Sequence, residues 1–348
     1  MTNKINKNYC MSSYLVFRYI VDDDVNFYPG LFHRTYKLKK NEDKMNVENE
    51  RDVDFVLKEE FAKIKDKKIG ILLSGGMDSA CLASYMPGTD AYTFRFYNGE
   101  FQKNELKRAE FYASYYGLNL HYVDINWNVI KENIEKLMKH KGSPLHSIEP
   151  QIYQAASQAK KDGIELMIIG DAADSVFGGL DQLLSKDWSY DAFKERYSFL
   201  NPEKVLVNPI DMNIYFKKYR LNDGKIDFLG FLDEYSDIES YGSYENAFST
   251  ADLDYLDPYE VMKLSVPLDL NRIRNGESKY IIRALFKLKY PDYPVPEKIP
   301  MPRPVDTYFK NWSGPKRSEF KKNIDIDAFS GNQKWQIWCL EYFLDMYE

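Results

Sequence analysis

The sequence predicts an α/β protein built on a doubly wound parallel sheet and completed by a mostly helical C-terminal subdomain. Three observations carry that expectation. Apolar strand-like runs alternate with helix-period segments between residues 69 and 169, glycine turns follow two of the strands, and the alternation stops near residue 185. The chain divides accordingly into a short N-terminal strand segment with a charged linker (1–54), an α/β core (55–185) and a helical remainder (186–348).

Residues 13–20 (SYLVFRYI) read as a strand, residues 22–24 as a turn, and residues 27–36 as a second apolar segment. The stretch 37–54 (KLKKNEDKMNVENERDVD) reads as an exposed linker because charge dominates it. Helical spacing of apolar residues predicts an amphipathic helix over 55–64. An apolar strand over 69–73 then runs into SGGMDS and the small-residue helix ACLASYM. Strands follow at 91–97, 119–125 and 165–169, separated by helices at 103–116, 129–139 and 152–161 and by a Pro-bounded loop over 142–150. Residues 291–304 (PDYPVPEKIPMPRP) hold too many prolines for regular structure and read as an ordered loop or lid. The chain closes on NQKWQIWCLEYFLDMY, a terminal helix whose Trp335 and Trp338 stripe faces the core.

Composition narrows the function classes. The 348 residues are 44% hydrophobic, enough to build a sizeable core. With 47 basic against 53 acidic residues the net charge is -6, so the chain as a whole does not attract nucleic acid. Cys10, Cys81 and Cys339 lie far apart without CxxC spacing, which signals neither a zinc site nor a disulfide framework and fits a reducing compartment. No run approaches the roughly 18 apolar residues of a spanning helix, and no cleavage pattern follows the basic N-terminus. A cytoplasmic protein without a membrane partner is expected.

The strongest chemical signal is Gly70-Ile-Leu-Leu-Ser-Gly-Gly-Met-Asp-Ser79. A buried strand that ends in Ser-Gly-Gly and opens a helix gathers backbone N–H groups around one concavity, a nest for phosphate oxygens. Gly75 and Gly76 let the backbone approach an anion, and the Ser74 and Ser79 hydroxyls add donors. Asp78 would repel pyrophosphate directly, so its use is to hold magnesium that bridges the phosphates. Plain helix capping by Asp78 and Ser79 requires neither the double glycine nor both serines. The Ser-Gly-Gly-x-Asp-Ser run resembles the signature of the PP-loop ATP pyrophosphatases, which cleave ATP to AMP and pyrophosphate, and it lacks the Gly-Lys-Ser/Thr ending of a Walker loop. That resemblance implies ATP and Mg2+ as cofactors, with phosphates on Ser74–Ser79 and adenine against the strands at 71–73 and 94–96, Leu73 and Phe96 among its contacts.

A second motif selects a branch of that superfamily. Ile169-Gly-Asp-Ala-Ala-Asp-Ser-Val-Phe-Gly-Gly179 is similar to the Gly-Glu-Gly-Ala/Ser-Asp-Glu-x-Phe-Gly-Gly pattern of asparagine synthetases. Taken alone, an Asx-rich loop with a glycine turn would also produce such a run. Two acids three residues apart, Asp171 and Asp174, suit one carboxylate that holds magnesium and one that steers a proton or an amine. Gly170 joins the nucleotide contacts. Val266-Pro-Leu-Asp269 and Gly276-Glu-Ser-Lys-Tyr-Ile-Ile-Arg283 are similar to further segments of the family. Resemblance to the synthetase domain of asparagine and β-lactam synthetases thus spans roughly residues 55–348. It implies that MgATP adenylates a small carboxylate, a sugar acid among the candidates, for attack by ammonia or an amine.

The match departs from the family at several places. Thr2 follows Met1 where the family's glutaminase nucleophile would be a cysteine, so free ammonia or a separate glutaminase is expected as nitrogen donor. Asp171 stands for a glutamate, Ser175 for an acid, and no lysine fills the family's late Arg-x-Lys position. Arg303, ahead of Lys298 and Lys310, is the candidate replacement charge. Lys279 reads equally as a phosphate contact or a solvated charge, and Arg283 as half of a structural ion pair. Asn104 and Glu105 read first as a helix start. His146, Ser147 and Glu149 read as facing the acceptor, because their loop precedes the second motif at the carboxyl edge of the sheet. Two other readings stand beside the ligase: a nucleotide-binding protein without catalysis, and a tRNA-modifying PP-loop enzyme.

Overall fold

A computed structural model describes residues 4–97, 102–298, 301 and 303–348. The strands are Lys4–Ile5 (β1), Val25–Asn26 (β2), Met45–Val47 (β3), Ile69–Leu72 (β4), Asp90–Phe96 (β5), Asn119–Ile125 (β6), Leu166–Ile168 (β7), Asp254–Leu256 (β8) and Met262–Leu264 (β9). The central sheet has the order β6-β5-β4-β7-β8, every pair parallel; β1 pairs with β2 and β3 with β9. From β4 the chain winds outward through β5 to β6. It then returns to the other side of β4 with β7 and continues to β8. The winding therefore reverses between β4 and β7, and the crevice of a doubly wound sheet opens beyond the carboxyl ends of these two strands.

Alternation along the strands divides the apolar residues between two cores. Met167 and Ile169 join Tyr92, Phe96, Val123 and Ile125 against helices Trp127–Lys141, Glu149–Lys161, Ile238–Thr250 and Gly331–Tyr347. Leu166 and Ile168 join Ile71, Leu73 and Ala91 against helices Glu50–Lys63, Met77–Ala83, Lys103–Tyr115 and Tyr280–Lys289. Burying an apolar side chain of this size stabilises by roughly 1.5–3 kcal/mol, so both helical layers are driven onto the sheet by the same effect. A third, aromatic core built from Phe193, Phe216 and Phe231 caps one end. Trp335 is buried in the first core and Trp338 packs partly buried against it.

Three readings of the sequence are corrected. Residues 13–20 are not a strand: Lys7–Phe17 is a helix, capped by Asn6, whose side chain accepts the Tyr9 N–H. Every residue from Cys10 to Phe17 is buried. A helix covered on all sides shows no 3.6-residue stripe, and its continuous apolar run looks like a buried strand. The helix ends at Arg18 in the left-handed region, φ 68°, with its N–H on the Tyr14 carbonyl. The stretch read as linker is also structured, because β3 pairs with β9 and Asn49 caps helix Glu50–Lys63. The part read as helical contributes β8 to the sheet, a three-residue strand too short to show alternation. Among the described residues no helix is long and apolar enough to cross a membrane.

Candidate active site

β4 positions the phosphate loop. Leu73 continues the ladder by donating its N–H to the Tyr92 carbonyl at 2.9 Å, after which the chain leaves the sheet at Ser74. Ser74 and Ser79 close the loop on itself: their hydroxyls lie 3.1 Å apart, and the Ser74 N–H donates to Ser79 Oγ at 3.1 Å. The Gly76 N–H donates to Ser74 Oγ at 3.1 Å. Gly75 is required by packing, since a Cβ there would lie 2.6 Å from the Glu105 carbonyl oxygen. Behind the loop, Tyr259 Oη donates to the Asp78 carbonyl and Tyr290 Oη to the Ala80 carbonyl, fixing the helix that follows.

β7 ends beside it and delivers the second motif. Helix Ala173–Val176 turns the chain back, and Gly179 then donates its N–H to the Asp174 carbonyl at 2.6 Å. A Cβ on Gly179 would lie 2.0 Å from Asp174 Oδ1 and 2.8 Å from Lys279 Cε. Gly178 adopts φ 77°, which a side chain tolerates poorly. The double glycine therefore makes room for a charged cluster. Lys279, only 2% exposed, reaches Asp78 Oδ2 at 2.7 Å and Asp174 Oδ1 at 2.8 Å. Lys298 Nζ binds the same Asp174 oxygen at 2.7 Å and the Gly179 carbonyl at 2.5 Å. Lys279 holds a left-handed backbone, φ 51°, at the start of helix Tyr280–Lys289, a strained conformation that aims its side chain back at the loop.

Burial and the neighbouring charges oppose each other within the cluster. Burial works against the Lys279 ammonium, yet Asp78 and Asp174 outweigh it and raise its pKa. Burial likewise works against the Asp174 carboxylate, and Lys279 with Lys298 holds it below the usual range. Asp78 is pushed up by burial despite Lys279, and its Oδ1 has no hydrogen-bond partner. Burial also pushes Asp171 well up; its carboxylate accepts the Ser240 hydroxyl. Asp257 holds the turn after β7 by accepting the Ala172 N–H at 2.7 Å and the Tyr259 N–H at 3.0 Å. Glu105 is pushed up to about 7 by burial, with the Gly75 N–H and Arg108 opposing.

Between the two strand ends lies a cavity of about 200 Å³. Of the residues expected from the sequence, Leu73, Ser74, Gly76, Asp78, Ser79, Gly170, Asp171, Asp174 and Lys279 line it. Gly75 supports the loop from behind. Gly75, Phe96 and Arg303 are the expected residues that are not in the lining. Phe96 packs in the core one turn of the pleat beyond Phe94, which does line the cavity together with Tyr92 and Thr93. Arg303 instead touches His146 Nε2 at 3.3 Å and Ser147 Oγ at 3.4 Å. The cations at the phosphate loop are Lys279, Lys298 and Arg283, which lines the cavity and donates to the Ser278 carbonyl rather than forming an ion pair among the described residues. Ser175 donates to the Ala172 carbonyl and faces a groove shared with Asp237. Tyr244 and Ser240 carry no sequence signal, because nothing in a single amphipathic helix marks which residue meets a remote strand end.

A cavity at the winding switch point, floored by a Ser-Gly-Gly loop and closed by two acids bridged by a buried lysine, is now joined by a sequence match: the model of the asparagine synthase family covers residues 61–237. The chain belongs to the asparagine synthase family. Members of the asparagine synthase family use ATP to adenylate a substrate. The matched span contains both loops, whereas Lys279, Lys298 and Arg303 lie beyond it. The chain is also similar to two solved structures. One is the NMN synthetase from Francisella tularensis, 11% identical, covering 72% of this chain and 99% of that one at a TM-score of 0.28. The other is the U34-tRNA thiolase NcsA from Methanococcus maripaludis with its 4Fe-4S cluster, 16% identical, covering 72% and 83% at a TM-score of 0.27. No curated protein matches the chain.

Proposed function

We propose that this chain is an amide-forming ligase that adenylates a small carboxylate with ATP, releasing pyrophosphate, and passes the acyl group to ammonia or an amine. The observation that carries this reading is the Asp78–Lys279–Asp174 bridge, which sets acid and base groups from both motifs against one cavity. The triphosphate lies over Ser74–Ser79, with the adenine between Leu72, Leu73 and the Tyr92–Phe94 edge. Lys279 and Lys298 stabilise the negative charge that builds as the carboxylate attacks the α-phosphate. Asp171, oriented by Ser240 and held high by burial, then takes a proton from the incoming nitrogen as the C–N bond forms and AMP leaves.

Among the described residues no group of three or more His, Cys, Asp or Glu side chains is arranged to hold a metal. The residues nevertheless fit magnesium, which takes one or two carboxylates plus substrate phosphates. Asp78 offers a buried oxygen without a partner, and Asp174 lies on the same lysine. Such an ion would neutralise phosphate charge. The first test is release of pyrophosphate and AMP from ATP in the presence of candidate acids. Asp78→Asn is expected to weaken Mg2+-dependent binding of a non-hydrolysable ATP analogue by about tenfold or more, with little change in its Mg2+-free binding. Equal affinity of parent and variant at every Mg2+ concentration would remove Asp78 from the site.

Glu105 sets a pH dependence. Its carboxyl, pushed up to about 7, is neutral below that pH and anionic above it, beside the Gly75 N–H of the phosphate loop. A bound triphosphate disfavours the charged form further, so affinity should fall as pH rises through 7. We expect about a tenfold loss of analogue affinity between pH 6 and 8.5 in the parent, and a nearly flat profile for Glu105→Gln. Identical slopes in the two proteins would exclude Glu105 as the origin.

A further inference from the structure

We propose that the groove behind the second motif is a separate ligand site, built for a zwitterion with an apolar body of about dipeptide size. The groove encloses about 600 Å³, in the range that holds small molecules and more than a single amino acid fills. It shares no lining residue with the nucleotide cavity. The two meet at one short helix, Ala173–Val176: Asp174 lines the nucleotide cavity, while Ser175 and Val176 line the groove. A ligand in the groove therefore touches the back of the turn that carries Asp174.

Much of its lining is apolar. Leu180 and Leu184 come from either end of helix Asp181–Leu184, and Leu232 from helix Phe228–Tyr235. Leu229 and Val266 also line it and are 42% and 46% exposed, apolar surface that a ligand would take out of water. Two sets of elements bring opposite charges. Asp233 and Asp237 stand in and just after helix Phe228–Tyr235, whereas Lys44 and Lys263 stand beside β3 and within β9. Lys263 Nζ is committed to the Asn41 carbonyl at 2.5 Å. Lys44 and Asp237, both half-buried, feel each other's charge, yet among the described residues neither they nor Asp233 belong to an ion pair. Burial holds the Asp237 carboxyl above its usual range despite the hydroxyls of Ser175 and Ser236. Partly desolvated charges that do not reach each other are both met by a ligand with an ammonium and a carboxylate. A ligand with one charge leaves the other side unpaired.

The groove is formed without a ligand. β3 pairs with β9, Met45 with Met262 and Val47 with Leu264, and the Ser265 N–H donates to the Val47 carbonyl at 3.1 Å. Asp227 caps helix Phe228–Tyr235 by accepting the Gly230 N–H at 3.0 Å, and Phe231 and Tyr235 root that helix in the aromatic core. Preformed walls lose little freedom when a ligand arrives. Ser175 stands where the family pattern carries an acid. An acid there would add a like charge beside Asp237 and repel the ligand's carboxylate, and serine removes that obstacle.

The test is calorimetric titration of the full chain, without nucleotide, with leucyl-leucine, its N-acetyl form, its C-terminal amide and glycyl-glycine. Leucyl-leucine should bind at least about fivefold more tightly than either capped form, each of which lacks one charge. It should bind at least about tenfold more tightly than glycyl-glycine, which lacks the apolar side chains. Asp237→Asn should largely erase the penalty of acetylation and keep that of amidation. Lys44→Gln should do the reverse, a crossed pattern that a purely structural role would not produce. Should a variant fail to fold, the capped peptides on the parent still decide. Equal affinity for the four peptides, no binding of leucyl-leucine, or preferences that survive both variants overturn the proposal. So does a dimer in sedimentation velocity that Leu229→Asp abolishes and leucyl-leucine does not, which gives the groove to a second copy of the chain. Pyrophosphate release is not read here, so either outcome leaves the adenylating reading where it stands.

Discussion

Replacing Gly179 with alanine is expected to reduce kcat/KM for acid-dependent pyrophosphate release by at least about a hundredfold. The added Cβ would stand 2.0 Å from Asp174 Oδ1, 2.9 Å from Asp174 Cα and 2.8 Å from Lys279 Cε. No rotamer change relieves a clash with a neighbouring Cα, so the turn itself must shift. That shift displaces the carboxylate holding both lysines and the carbonyl that receives Lys298. The fold should survive, because the clash is confined to the turn beyond the sheet. Steady-state kinetics beside a thermal melt separate the two effects. A variant that turns over like the parent would show that the Asp174–Lys279 contact is not needed.

Lys279→Met keeps the length of the side chain and removes its charge. Asp78 and Asp174 would then face each other with only Lys298 near, and breaking a buried ion pair from one side typically costs about 3–5 kcal/mol. The sign of the pH dependence follows from Asp174. In the parent its pKa is held below the unfolded value, so its share of stability is present above about pH 4 and lost as pH falls through the folded value. Without Lys279 that share shrinks to what Lys298 still supplies. The gap in thermal stability between parent and variant should therefore be small near pH 4 and widen toward pH 7. Activity should fall by roughly two to three orders of magnitude, the scale of losing one transition-state donor. Unchanged kcat/KM would place Lys279 among purely structural residues.

Local chemistry explains why much of the cavity was legible from the chain. The loop at 74–79 and the turn at 170–179 each combine a strand end, glycines and acids within ten residues, and those combinations are visible without coordinates. Lys279 was ambiguous for the opposite reason. Its short motif describes a helix start, and only the left-handed backbone and the closeness of Gly179 send its ammonium into the cluster. Arg303 shows the limit of placing a residue by order along the chain: in the Pro-rich stretch it is Lys298 that reaches Asp174, while Arg303 turns toward His146.

The N-terminal helix marks the same boundary. Its residues are apolar on every side, so their order encodes burial without choosing between helix and strand. Periodicity and glycine chemistry act over a few residues. They determined by themselves the parallel α/β core, the phosphate loop and the paired acids of the second motif. The neighbour relation of β4 and β7, the lysine bridge across the two loops and the Arg18–Glu239–His146–Arg303 contacts were decided only by tertiary structure. Each joins residues from about a hundred to nearly three hundred positions apart, and such contacts depend on which buried faces pack together, a property of the whole chain that no local pattern carries.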